Sequence, residues 1–93
     1  MRLSNQEIEA IKSSIDRFDP KAVIYLFGSR ADSKKKGGDI DLLILSNVLT
    51  ERDKLKIEMA LFEKIEEQKM DLVIARDTTQ PFVRIALKTG IKL

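Results

Sequence analysis

One stretch constrains the chain more than any other: Tyr25 to Leu45, YLFGSRADSKKKGGDIDLLIL. An apolar run stops at Gly28-Ser29, and a second opens behind an Asp-x-Asp, Asp39 and Asp41. A third begins with Asp71 in MDLVIA. Apolar runs this short, without alternation, read as strands covered on both faces. The pattern therefore predicts a sheet packed between helices, with a glycine turn and three carboxylates at strand ends.

The rest of the chain supplies the helices. Ser4 with Glu7 forms a capping box pattern, and Ile8, Ile11, Ile15 and Phe18 follow at helical spacing, predicting a helix over 4–18 that Asp19-Pro20 stops. Strands are expected over 22–27, 40–45 and 70–75. Residues 30–36 form a short helix or an ordered loop, broken by Gly37-Gly38. Thr50 is a plausible N-cap for a second long helix to 68, with Leu55, Met59, Phe62 and Ile65 as its apolar stripe. Thr79 caps a last helix with Pro81 in its first turn; Phe82, Ile85 and Ala86 face inward and Gly90 stops it. The expected fold is α/β (α+β), a mixed three-stranded sheet with about four helices, in a single domain over 1–93.

Connection lengths decide where the polar ends go. In an all-parallel sheet, Gly28-Ser29 and the three acids would lie at opposite edges. The short link from 28 to 39 suits an antiparallel return, and the long, helical link from 45 to 70 suits a parallel crossover. A mixed sheet gathers all of them at one edge.

Absences then narrow the chemistry. The 93 residues include no Cys and no His, which excludes thiol nucleophiles, imidazole bases and Cys/His zinc sites. Any metal must be held by oxygen, which favours Mg2+, with Mn2+ as an alternative. Asp39 and Asp41 project to the same face, roughly 6–7 Å apart at the backbone, and Asp71 on a neighbouring strand closes the cluster. Such carboxylates suit a pair of divalent ions, whereas no Lys or Arg within those strands neutralises them. Gly28 allows close approach of a phosphate and Ser29 offers a hydroxyl and an N–H. Arg30 and Lys34, Lys35 and Lys36 are candidate triphosphate contacts, although three lysines in a loop are more often a solvated run. A net charge of +2 gives no indication of nucleic-acid binding. No run is long enough to span a membrane and MRLSNQEIEA does not read as a signal peptide, so a cytoplasmic location is expected. So small a domain buries its core thinly, and a homo-oligomer or docked partner is expected.

Gly-Ser, a short loop, Asp-x-Asp, a helix and a strand-borne Asp together resemble the DNA polymerase β-like nucleotidyltransferase superfamily. Within it, a core this bare resembles the minimal nucleotidyltransferases, the MNT antitoxin group, from the first helix to TGIKL. The resemblance implies ATP as substrate and two Mg2+ ions, metal ligation and catalysis by Asp39, Asp41 and Asp71, and nucleotide contacts from Gly28 and Ser29. It also implies a HEPN-domain toxin as partner, with AMP transferred to one of its tyrosines. The chain departs from the group in a shorter loop before Asp39, in Asp32 where a basic residue is common, and in Gly38 where Ser is common. Two other functions compete. One is a binding module that neutralises a partner by contact alone. The other is a phospho-acceptor domain of the response-regulator kind, which needs its acids at the C-terminal ends of parallel strands, where Asp39 and Asp71 are not.

Overall fold

The structure, a computed structural model, describes residues 2–32 and 38–93. The expected contacts from Lys34, Lys35 and Lys36, and the break at Gly37, lie outside the described residues. The elements run α1 (Asn5–Asp16), β1 (Val23–Phe27), a 3-10 turn (Gly28–Ala31), β2 (Ile40–Leu45), α2 (Asp53–Phe62), β3 (Met70–Ala75), α3 (Pro81–Thr89) and β4 (Ile91–Lys92). The sheet is mixed, in the order β3-β2-β1-β4. β1 runs antiparallel to β2, and β2 parallel to β3, as the connection lengths require.

Two features differ from the expected architecture. The sheet has a fourth strand, because the chain continues past Gly90 to lay Ile91 and Lys92 beside Leu26 and Tyr25. Among the described residues there are three α-helices, the fourth helical element being only the 3-10 turn.

Alternation along the strands sends residues to two different layers. Ile24, Leu26, Ile40, Leu42, Ile44 and Leu72 point to the face covered by α1 and α2, where Ala10, Ile11, Ile15, Ile57 and Leu61 meet them. Tyr25, Phe27, Leu43, Leu45 and Val73 point to the other face, which α3 covers through Val83, Ala86 and Leu87. α1 begins on the expected capping box: Ser4 Oγ accepts from the Glu7 N–H and Glu7 Oε1 accepts from the Ser4 N–H.

The second helix buries another face than the sequence pattern predicted, and the third buries Ala86 as expected but not Phe82 or Ile85. On α2, Leu55 and Met59 are exposed, while Ile57, Ala60 and Leu61 are buried. The helix starts at Asp53, whose carboxylate accepts from both the N–H and the hydroxyl of Thr50, and it ends at Phe62 rather than 68. Only Phe62 and Ile65 of the expected stripe pack against the core. On α3, Phe82 and Ile85 are largely exposed, and Val83 with Ala86 makes the buried side. Gln80, not Thr79, holds the cap position, since Thr79 donates its N–H and hydroxyl to Asp77. No helix of the described residues is long and apolar enough to cross a membrane.

Candidate active site

The polar edge is built by strand register. Asp41 lies opposite Phe27 on β1 and opposite Asp71 on β3. Paired residues on neighbouring strands share a face, so Asp41 and Asp71 both project on the α3 side of the sheet. Asp39 lies two residues before Asp41, just outside β2, and its charge is felt at the Asp41 carboxylate. Beneath them Phe27 meets Phe82 of α3 edge to face, with ring centroids 5.7 Å apart.

Gly28 and Gly38 bring the turn against these acids. Gly28 has φ +73°, and a Cβ there would run into the Asp41 carboxylate. Gly38 has φ +90°, and a Cβ there would strike the Ser29 hydroxyl. Both positions thus need glycine twice over, for the left-handed backbone and for the space. Gly28 was expected to make room for a phosphate; the group its missing side chain accommodates here is Asp41. The structure therefore brings Gly28, Ser29 and Asp41 into contact at one edge, with Asp71 across the register and Asp39 just beyond Gly38.

The electrostatics follow from this crowding. Partial burial, then the charge of Asp71, then that of Asp39, raises the Asp41 pKa above its ordinary value. One counter-charge is present that the strand sequences alone did not reveal: Lys69, just before β3, has its Nζ 3.7 Å from Asp39 Oδ2. Both side chains of that pair are well exposed, so water screens it. Among the described residues, no three Asp, Glu, His or Cys side chains are gathered into a ready-made metal-holding group. In kind, however, the donors fit a hard divalent cation: they are all carboxylate oxygens, and Asp41 carries the cost of its neighbours' repulsion.

Arg30 is engaged elsewhere than at the expected triphosphate. Its guanidinium donates to three internal acceptors: Gly38 C=O at 3.2 Å, Arg2 C=O at 3.0 Å and Gln68 Oε1 at 3.4 Å. Arg2 in turn donates to the carbonyls of Ser29 and Asp32. The sequence carries no signal for Arg2 or Gln68, because their partners are 27 or more residues distant. Gly38 was detectable as half of a loop-breaking pair and as a departure from the family's usual Ser, but not as a neighbour of Ser29. A groove of about 520 Å³ beside Glu7 and Gln68, and another of about 360 Å³ beside Lys12 and Asp19, include none of the three acids.

Residues 9–93 match the family described as Polymerase beta, Nucleotidyltransferase. No curated protein matches the chain.

Proposed function

The chain belongs to the polymerase beta nucleotidyltransferase family, and from that premise we propose that it transfers AMP from ATP to a hydroxyl of a partner protein. The observation that carries this reading is the seating of Asp41 against Gly28, with Asp71 in register across the strand. A glycine turn and mutually repelling carboxylates at one sheet edge are what a cation-assisted nucleotide site requires.

Asp39, Asp41 and Asp71 would hold the divalent cation, Mg2+ or Mn2+. When bound, it supplies the positive charge that offsets the carboxylates and polarises phosphate oxygens. The residues do the rest. The Ser29 hydroxyl and the turn around Gly28 hold the phosphates beside Asp41. The acceptor hydroxyl attacks the α-phosphorus, a new O–P bond forms, the bond to the β-phosphate breaks, and pyrophosphate leaves. Asp71, which is exposed, faces the incoming hydroxyl and takes its proton.

The acceptor belongs to a partner because the acids lie on an open sheet edge, and a transferase must hold its acceptor within about 3–3.5 Å of the reacting phosphorus. A HEPN-domain toxin with a tyrosine acceptor, in a toxin–antitoxin pair, is the partner this reading names. The test is to mix the chain with ATP, Mg2+ and the product of the neighbouring gene, then weigh that product intact. We expect one AMP mass added with wild type and none with Asp41→Asn. A partner that is silenced in a tight complex yet stays unmodified would make the chain a binding module.

A further inference from the structure

We propose that Arg2 is a positioning residue for the nucleotide site, splinting the Gly28-Ser29 turn from behind with the help of Arg30. The inference rests on the nucleotidyltransferase reading, and it concerns residues outside the three-acid cluster.

Arg2 meets the turn through its own backbone and its side chain together. Its N–H donates to the Arg30 carbonyl at 2.8 Å. Its Nη2 donates to the Ser29 carbonyl at 2.8 Å and its Nε to the Asp32 carbonyl at 3.1 Å. Three carbonyls of one short segment thereby accept from a single residue, the Ser29 carbonyl also accepting from the Asp32 N–H within the turn. Arg30 reciprocates, donating from Nη1 to the Arg2 carbonyl at 3.0 Å, while its Nε reaches Gly38 C=O at 3.2 Å. Arg30 thus ties the turn to Gly38, where a Cβ would strike the Ser29 hydroxyl.

The splint is anchored to the body of the fold. Arg30 Nη2 donates to Gln68 Oε1 at 3.4 Å, and Gln68 Nε2 donates to Glu7 Oε2 at 3.3 Å. Glu7 is itself fixed by the capping box of α1. Two neighbouring guanidinium groups repel, and Glu7 offsets part of that repulsion. Burial raises its pKa, but hydrogen bonds from Ser4 and Gln68 and the charge of Arg30 bring it below the ordinary value.

The consequence is directional. The Ser29 carbonyl is held toward Arg2, while the Ser29 hydroxyl fills the space a Cβ at Gly38 would need, and the Asp41 carboxylate the space a Cβ at Gly28 would need. Carbonyl oxygens turned to the acid side would repel a phosphate; Arg2, together with the Asp32 N–H inside the turn, keeps the Ser29 carbonyl from turning that way. A guanidinium suits the task because its fixed fork spans two carbonyls at once, whereas an ammonium is a point donor.

The test uses the intact chain, with ATP and Mg2+ titrated by calorimetry. Arg2→Ala is expected to bind on the order of tenfold more weakly, the loss of about one charge-assisted hydrogen bond's discrimination, with a melting temperature close to wild type. Arg2→Lys should be as weak as Arg2→Ala, and exchange of the Asp32 amide, which donates to Ser29 C=O at 3.2 Å, should quicken in both. Should Arg2→Ala fold poorly, Gln68→Ala loosens the same splint at its anchor and is expected to weaken binding less, in the same direction. Wild-type affinity in Arg2→Ala, or full rescue by Arg2→Lys, overturns the splint; the latter would mean that charge alone matters. Failure of the wild type to bind ATP with Mg2+ removes the nucleotide reading instead, and the Asp32 exchange rate then decides the splint on its own.

Discussion

The two faces of the sheet divide the work of this small domain unequally. The face under α1 and α2 is built almost wholly from large aliphatic side chains, with Leu26, Ile40, Leu42 and Ile44 fully buried. The face under α3 buries Leu43 and Val83 but borders its core with half-buried Tyr25, Phe27 and Leu45, and ends in Asp41 and Asp71. One side stabilises the fold, and the other carries carboxylates that oppose it. A chain of this length has little surplus stability. It keeps a repulsive edge only because the opposite face is packed well enough to tolerate it.

Adjacent leucines on β2 test this division most severely. Leu42 and Leu43 are both fully buried, yet they point to opposite faces. Truncation of a buried leucine to alanine costs about 2–5 kcal/mol, according to how far the site collapses. Leu42→Ala is expected near the top of that range and Leu43→Ala near the bottom, because the half-buried neighbours on the α3 face have room to close in. Denaturant titration of the two variants reads this directly. The reverse order would show that α3 packs the tighter layer.

A smaller effect sharpens the same contrast from the other side. The Ser14 hydroxyl is fully buried on α1 and has no hydrogen-bond partner among the described residues. An unsatisfied buried hydroxyl costs about 1–3 kcal/mol. Ser14→Ala is therefore expected to stabilise the chain by about 1 kcal/mol, or roughly 4–8 °C in a domain of this size. A lower melting temperature in the variant would mean that the hydroxyl is satisfied in solution.

The same asymmetry explains what the sequence revealed. Strands β2 and β3 were legible to the residue, since IDLLIL and MDLVIA are short apolar runs with a polar start. The convergence of Gly28, Ser29 and the acids followed from connection lengths alone. Helix faces were not legible. α2 carries Leu55, Ile57, Met59, Leu61 and Phe62, so apolar residues surround it and periodicity does not choose a side. Leu55 and Met59 matched a helical stripe as well as Ile57 and Leu61 did, and tertiary packing selected the latter. The stripe on α3 was displaced for the same reason, with Ile85 taken where Val83 is buried. β4 is only Ile91–Lys92, too short for any pattern. Around the site, Arg30 was visible as a charge, but its partners were not: Arg2 and Gln68 lie far away in sequence, and only the folded chain brings them together.

The finest test of the contrast is the pH dependence of stability, because one carboxylate on each side shifts in the opposite sense. Asp41, on the α3 side, has a folded pKa raised above 3.8, first by burial and then by Asp71 and Asp39. Its folded form binds the proton more tightly than the unfolded chain does, so the group destabilises at neutral pH and this cost fades as pH falls through the raised value. Glu7, on the α1 side, has a folded pKa lowered below 4.5, because its hydrogen bonds and Arg30 outweigh burial. Its stabilisation is full above 4.5 and is lost as pH falls through the lowered value. Asp41→Asn is thus expected to melt no lower than wild type at pH 7 without divalent cation, with any advantage shrinking on acidification. Glu7→Gln is expected to melt below wild type at pH 7, with a deficit that shrinks on acidification. Both groups are partly exposed, so both differences are small and best read as slopes of melting temperature against pH in a chelating buffer. An Asp41→Asn variant that melts well below wild type at pH 7 would mean that Asp41 holds the edge together, and the division of labour between the faces would fail.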